Sequence, residues 1–294
     1  MKILLTGDEG YVGSGLSRYL KQTYEVVGWN SQKDVRTLKP SILKELNIEA
    51  VVNCAAITDR VTPHFKIDSP TDLVNVGGAR ALARALKDSK IPLIHISTKD
   101  VFGKLYTLDN LIEEEKAYRP KFRVDDDQPF QPESIYAKSK LMAEFILEDH
   151  PETVIVRLGS CYTDFDHEKG SWIVKVAKRI QAGETVTVSH NGKQFRDLLH
   201  SDDLGNLIEI ILKSNCFGVK LNAGGGEENT LSVREVIHMY NPVARILESD
   251  DDGDYGFVFS NKRVEEIFQW QPQILFTDRA ATILDNIKKG IRAN

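Results

Sequence analysis

A short apolar run at the start of the chain leads directly into a glycine-rich turn. KILLT at residues 2–6 is followed by GDEGYVG at residues 7–13 and by SGLSRYL at residues 14–20. A strand, a G-x-x-G-x-x-G turn and a helix in this order are typical of a dinucleotide site. Glycines let the backbone approach a pyrophosphate, and the helix N-terminus offers it N–H groups and a positive dipole end. The stretch therefore predicts the first βα unit of a dinucleotide-binding domain, with a ligand-free glycine turn as the alternative.

Short β-branched-rich runs alternate with helical patterns through the first half of the chain. Apolar residues recur at helical spacing within residues 73–86 and 135–146. Near-continuous apolar strands between such helices are typical of a parallel sheet that is covered on both faces. We therefore predict an α/β fold, a Rossmann-type doubly wound parallel sheet. The further strand runs lie at residues 24–29, 50–55, 92–97 and 153–158.

The length and the change of pattern after residue 158 predict two lobes. A chain of 294 residues suits two domains at roughly 150 residues each. We expect an NAD(P)-binding domain at residues 1–158, to which residues 202–222 return, and a smaller substrate-binding lobe at residues 159–294. The charged segment 104–123 is either a surface insertion or a lid or subunit-contact loop beside the active site.

Composition excludes several classes of protein. The net charge is −5 and no basic block is present, so we expect no nucleic-acid partner. No apolar run approaches the ~20 residues of a membrane span, and the apolar start is too short for a signal peptide. Three widely spaced cysteines without C-x-x-C favour a reduced, cytoplasmic protein. The histidines show no ligand spacing, so we expect no metal.

Tyr136 and Lys140 form a candidate acid–base pair. In YAKSK at residues 136–140 they are four positions apart and share one helix face. A neighbouring ammonium lowers the pKa of a phenol, which can then exchange a proton with a carbonyl or sugar oxygen. Thr98 ends the fourth strand run, at the carboxyl edge where ligands of such sheets bind, and its hydroxyl can bind the same oxygen.

The end of the second strand bears on the choice of cofactor. An acidic residue is expected there when NAD ribose hydroxyls are bound. Asn30 occupies this place without a charge, whereas Ser31 and Lys33 could bind a 2′-phosphate. The sequence therefore favours NADP over NAD, and NAD stays open.

The motifs, taken in order, resemble those of the extended short-chain dehydrogenases/reductases. The chain is similar to the NAD-dependent epimerase/dehydratase family, which acts on nucleotide sugars, over nearly its whole length. The matching pieces are TGxxGxxG at 6–13, Asp34-Val35, NxAA at 53–56, Asn75, STxxVFG at 97–103, YxxxK at 136–140, RDxxH at 196–200 and WxP at 270–272.

This resemblance implies roles for individual residues. Thr98 orients the substrate oxygen, Tyr136 is the acid/base, and Lys140 tunes it and holds the nicotinamide ribose. Arg196 contacts the substrate diphosphate, with a surface ion pair as its alternative, and Asp100 also contacts substrate. Asn75 is structural or relays a proton. The implied cofactor-binding residues are Gly7, Gly10, Tyr11, Val12, Asn30, Asp34, Val35, Ala55, Ala56, Thr58, Tyr136 and Lys140.

The resemblance also implies a reaction. The nearest pattern is that of the dTDP-4-dehydrorhamnose reductase type, which predicts reduction of a 4-keto-6-deoxy nucleotide sugar. Dehydratases of the group carry an acid where this chain has Lys99, so dehydration is disfavoured. The alternatives are a nucleotide-sugar 4-epimerase with tightly bound NAD, a non-catalytic dinucleotide-binding regulatory subunit, and a reductase of a small carbonyl compound. Family members often dimerise through the helices beside the site, which predicts a homodimer.

Overall fold

The computed structural model describes residues 1–168, 170–250 and 253–292, which form two compact units. Unit 1 comprises Met1–Gly103, Asp126–Leu158 and Gly205–Asn222, and unit 2 comprises Lys104–Asp125, Gly159–Leu204 and Ala223–Asn294. The predicted domain 1–158 differs in one segment, because residues 104–125 group with unit 2. The predicted lobe 159–294 includes five residues outside the described ranges, namely Lys169, Asp251, Asp252, Ala293 and Asn294.

Strands and helices alternate along most of the chain. The strands are β1 (Lys2–Thr6), β2 (Glu25–Trp29), β3 (Ala50–Asn53), β4 (Leu93–Thr98), β5 (Leu111–Glu113), β6 (Tyr118–Pro120), β7 (Thr153–Leu158), β8 (Ser160–Tyr162), β9 (Val186–Val188), β10 (Phe195–His200), β11 (Val219–Ala223), β12 (Thr230–Ser232), β13 (Ile246–Glu248) and β14 (Gly256–Phe257). The helices are α1 (Tyr11–Leu20), α2 (Pro40–Glu45), α3 (Gly77–Leu86), α4 (Ile135–Leu147), α5 (Trp172–Gln181), α6 (Ser201–Ser214), α7 (Val233–Tyr240), α8 (Lys262–Phe268) and α9 (Phe276–Lys288).

The described residues around unit 1 include a six-stranded sheet in the order β11-β7-β4-β3-β1-β2. The pairs β1–β2, β1–β3, β3–β4 and β4–β7 are parallel. Every residue of β3, β4 and β7 is buried, as expected for strands that are covered on both faces. The predicted Rossmann-type doubly wound sheet is confirmed.

The chain reverses its direction of growth across the sheet at β1, which lies between β2 and β3. Ligands of doubly wound sheets bind beyond the carboxyl ends of the strands at such a point. Gly7 follows β1 with a φ of +69°, and a Cβ on it would lie 2.8 Å from the backbone of Ala55, which follows β3. Only glycine suits this position, since the two loops touch there through their backbones.

A buried ion pair ties α4 to the sheet. Arg157 of β7 and Glu144 of α4 are each 1% exposed, and Nη2 of the arginine lies 2.8 Å from Oε2 of the glutamate. Ser97 of β4 donates its hydroxyl proton to the same carboxylate. The guanidinium also lies 5.2 and 5.0 Å from the ring centroids of Phe102 and Phe130. These contacts position the helix that carries Tyr136 and Lys140.

Unit 2 is built around β10, which pairs with β12, β14 and β8. The segment 104–123 contributes the hairpin β5–β6 and the buried residues Tyr106, Ala117 and Tyr118. Its Arg119 forms an ion pair with Glu235 of α7. The segment is therefore a packed part of unit 2, and its role as a lid or subunit contact stays a prediction. Within the described ranges, no helix has the length and hydropathy of a membrane span.

Candidate active site

Tyr136 and Thr98 meet in unit 1. The side chain of Ser134 accepts a hydrogen bond from Ala137 N and caps α4, so that Tyr136 lies in the first turn. Thr98 is the last residue of β4. The two side chains are hydrogen-bonded to each other, and the residues are 7% and 4% exposed. The structure thus places together the phenol and the hydroxyl that sequence reasoning assigned to one substrate oxygen.

The phenol of Tyr136 carries its proton at neutral pH in this environment. Burial raises its pKa to about 12, and the nearby charge of Asp100 acts in the same direction. The guanidinium of Arg60 opposes this effect, because its Cζ lies 5.2 Å from the centre of the tyrosine ring. Tyr136 is therefore prepared to donate a proton, and Arg60 is placed to stabilise the phenolate that results.

Lys140 contacts β4 in this structure, and its predicted tuning of Tyr136 and its predicted hold on the nicotinamide ribose stay predictions. Its Nζ donates to the carbonyl oxygen of Ile96 at 2.6 Å and lies 3.1 Å from Nε2 of His95. Burial lowers its pKa from 10.5 to about 8, although Glu144 opposes the shift. A buried ammonium requires hydrogen-bond partners, and the two named here belong to β4. The cation on the tyrosine ring is Arg60, a residue that the sequence analysis missed because it lies in an irregular loop.

A series of hydrogen bonds between buried polar side chains leads to His95, which contacts Lys140. The Thr6 hydroxyl donates to Oδ1 of Asn53 at 2.5 Å, and Nδ2 of Asn53 lies 2.9 Å from Nδ1 of His95. Burial and the charge of Lys140 hold the pKa of His95 well below its usual value, so the imidazole is neutral. His95 was also missed, although a histidine inside the apolar strand LIHIST is a visible signal.

Asp100 is held between two cations. Its Oδ1 lies 3.0 Å from Nζ of Lys99, and its Oδ2 lies 2.8 Å from Nε of Arg60. Burial by itself raises the pKa of this carboxyl, but the two cations outweigh burial and hold the pKa well below its usual range. Asp100 is consequently a charged carboxylate whose two oxygens both have partners.

Asn75 connects the loop after β3 to α4. Its Oδ1 accepts from Ile57 N at 2.8 Å, while Nδ2 donates to Ile57 O at 3.0 Å and to the Ser139 hydroxyl at 2.8 Å. These contacts favour the structural role among the two that the sequence left open. They also hold in place the loop that contains Ala55, Ala56 and Thr58.

The start of α1 fits a dinucleotide pyrophosphate. Gly10 is the N-cap residue of α1, and as a glycine it has no side chain that could occupy the first N–H groups of the helix. The first turn carries no acidic residue that would repel an anion. A Cβ on Gly13 would lie 2.0 Å from Gly7 O, so glycine lets the turn pack closely on the helix. The amides near Tyr11 and Val12 can therefore face an anionic group, as the motif predicts.

Three of the implied cofactor-binding residues, Asn30, Asp34 and Val35, follow β2 and contact other parts of the protein. Asn30 donates through Nδ2 to Oε1 of Glu9 at 2.7 Å. The Asp34 carboxylate accepts from Nε of Arg36 at 2.9 and 2.8 Å. The side chain of Val35 belongs to the hydrophobic core. A direct contact of Asp34, Val35 or Asn30 with a cofactor stays a prediction.

Arg196 lies in unit 2, on the wall of a cavity of about 720 Å³. Its Nη2 lies 2.7 Å from Oδ1 of Asp254, and Nη1 donates to Phe195 O at 2.8 Å. The arginine thus forms the ion pair considered from sequence and also faces a cavity. Lys175 and Arg179 line the same cavity. Such a cationic wall suits a diphosphate, because guanidinium forks match anionic oxygens.

A glycine turn at the switch point of a doubly wound sheet and a buried Tyr136 beside Thr98 define an enzyme of the extended short-chain dehydrogenase/reductase class. The chain belongs to the NAD dependent epimerase/dehydratase family, which it matches over residues 3–224. The resemblance stated from the motifs is confirmed.

The individual relatives share less than a third of their residues with this chain. The chain is 25% identical to CDP-paratose 2-epimerase of Salmonella typhi, over 97% of this chain and 98% of that protein. It is 29% identical to dTDP-4-dehydrorhamnose reductase of Mycolicibacterium smegmatis, over 71% of this chain and 60% of that protein. The structure of UDP-glucuronic acid 4-epimerase from Bacillus cereus with UDP-glucuronic acid and NAD superimposes with a TM-score of 0.82, at 24% identity, over 98% of this chain and 99% of that one. This last likeness concerns the fold.

Proposed function

We propose that the protein reduces the keto group of a nucleotide-linked 4-keto-6-deoxy sugar with hydride from a nicotinamide dinucleotide. The observation that carries this proposal is the protonated, buried phenol of Tyr136, which is hydrogen-bonded to Thr98 beside a carboxylate that is not available for proton transfer. One proton donor is what reduction of a carbonyl requires.

The surroundings of Asp100 argue against a dehydratase. Elimination of water from a sugar needs a further acid and a further base besides the redox tyrosine. Lys99 cannot act as a carboxylic acid, and the pKa of Asp100 is held too low for it to carry a proton at neutral pH. Both of its oxygens also face cations, which weakens them as a base.

The chain's own residues divide the reaction between them. Thr98 holds the carbonyl oxygen, Tyr136 donates its proton to that oxygen, and Arg60 stabilises the phenolate until solvent restores the proton. The chemistry that a bound dinucleotide would supply is hydride transfer, and Gly7, Gly10 and the first turn of α1 would hold its pyrophosphate.

The cationic cavity of unit 2 supports a nucleotide diphosphate as the anchor of the substrate. Arg196 sits on its wall, and Gln194, which is 6% exposed, has an Oε1 for which the described residues supply no hydrogen-bond partner. Relatives named for CDP- and dTDP-linked sugars support the same class of substrate. Cytoplasmic location and a homodimer formed through α3 and α4 remain part of the proposal.

A nucleotide-sugar epimerase is the second candidate. CDP-paratose 2-epimerase of Salmonella typhi matches 97% of the chain. An epimerase would use the same Tyr136–Thr98 pair to take and return one proton while it retains NAD. It would therefore change its substrate without net consumption of the cofactor.

The test follows nicotinamide absorbance after the protein is mixed with NADH or NADPH and a dTDP-4-keto-6-deoxy sugar. We expect consumption that Tyr136→Phe lowers at least ~100-fold while folding is intact. Tyr24→Phe is the matched control, because it removes the same hydroxyl from a tyrosine that is hydrogen-bonded to Glu209 of α6.

Other outcomes assign the alternatives. Epimerised sugar without consumption, with NAD that co-purifies, would assign the epimerase. A stoichiometric partner and no turnover on any nucleotide sugar would assign a regulatory subunit. An Arg196→Ala variant with unchanged substrate KM would indicate a small carbonyl substrate. Full turnover by Tyr136→Phe would refute the role of the tyrosine.

A further inference from the structure

A carboxylate from the glycine-rich turn lies at the end of β2. Asn30, the residue after β2, donates through Nδ2 to Oε1 of Glu9 at 2.7 Å. Its Oδ1 accepts from Gln32 N at 3.1 Å, which caps the turn Ser31–Lys33 and fixes the amide plane. Glu9 is therefore held at the position where dinucleotide sites carry the acid that binds ribose hydroxyls.

We propose that Glu9, held by Asn30, makes this protein select NAD over NADP. The inference rests on the proposed function and specifies its cofactor. A carboxylate accepts hydrogen bonds from the 2′- and 3′-hydroxyls of a ribose, but it repels the doubly charged 2′-phosphate of NADP. The negative charge that is absent from the end of β2 in the sequence is thus restored from a loop about twenty residues earlier in the chain.

The cations near the end of β2 are directed to other partners. Nζ of Lys33 donates to Gly28 O at 3.1 Å and lies 5.5 Å from the ring centroid of Trp29, so its ammonium points back along the strand. Arg36 is engaged with the Asp34 carboxylate. These contacts favour NAD, in contrast to the preference for NADP that Ser31 and Lys33 indicate in the sequence.

The test measures the dissociation constants of the whole protein for NAD and for NADP by isothermal titration calorimetry. We expect wild type to bind NAD at least ~10-fold more tightly. Glu9→Gln keeps an oxygen for Asn30 but removes the charge, and should strengthen NADP binding roughly tenfold while NAD binding weakens only a few-fold. Glu25→Gln removes an exposed carboxylate from the opposite end of β2 and should change neither constant.

Two results would overturn the inference. One is wild-type protein that binds NADP as tightly as NAD. The other is a Glu9→Gln variant whose NAD/NADP ratio equals that of Glu25→Gln. A protein that binds neither dinucleotide would instead overturn the proposed function together with this inference, so the two failures are distinguishable.

Discussion

Arg157→Leu should be among the most destabilising substitutions in unit 1. Arg157 and Glu144 are each 1% exposed, and the arginine supplies Nε and Nη2 to both carboxylate oxygens. The leucine would leave Glu144 buried with the Ser97 hydroxyl as its remaining donor from this cluster. Breaking a buried ion pair in this way costs about 3–5 kcal/mol, and the charge of Lys140, which interacts with Glu144, offsets part of that cost. The loss of two cation–π contacts with Phe102 and Phe130 adds to the cost, and the packing of leucine offsets part of it.

The assay is urea unfolding at pH 7, followed by circular dichroism. Lys289→Leu is the control, because the Lys289–Asp285 pair is exposed. Its removal should change the free energy of unfolding by less than about 1 kcal/mol. The double variant Glu144→Leu/Arg157→Leu removes both charges and should be more stable than Arg157→Leu alone. A single variant within about 1 kcal/mol of wild type would refute the reasoning, since the pair would then carry no desolvation cost.

Two further predictions concern buried titratable groups. Lys140→Met removes an ammonium whose pKa is lowered by burial from 10.5 to about 8. Below pH 8 this shift lowers the free energy of unfolding of wild type by about 3 kcal/mol, and the loss disappears as pH rises toward 10.5. A lost hydrogen bond to Ile96 O costs about 1–3 kcal/mol, so urea unfolding at pH 7 should place the variant within about 2 kcal/mol of wild type. A much larger loss of stability would contradict this balance. Burial raises the pKa of Asp197 to about 6. The free energy of unfolding of wild type, relative to that of Asp197→Asn, should therefore fall by about 3 kcal/mol as pH rises from 3.8 through 6. A difference between the two proteins that stays constant across that pH range would disprove the shift.

The local signals in the sequence predicted the framework correctly. Strand β1, the glycine turn and helix α1 are adjacent in the chain, so their apolar run and glycine spacing report directly on the structure they form. Tyr136 and Lys140 share a helix, and Thr98 ends a strand, so their positions at the sheet edge also follow from local periodicity. The order of these motifs was sufficient to identify the family.

Only the tertiary structure decided which charges meet. Arg60 reaches Tyr136 from an irregular loop, Lys140 turns to His95 and Ile96, and Glu9 lies against Asn30 at the end of β2. These pairs join segments that are about twenty or more residues apart in the chain. Burial selects the partners of Lys140, since a desolvated charge takes the hydrogen-bond partners within its reach. Periodicity and spacing describe a residue's neighbours along its own strand or helix. They carry no information on which distant side chain will share its dielectric environment, and that environment sets the protonation of Tyr136 and Lys140.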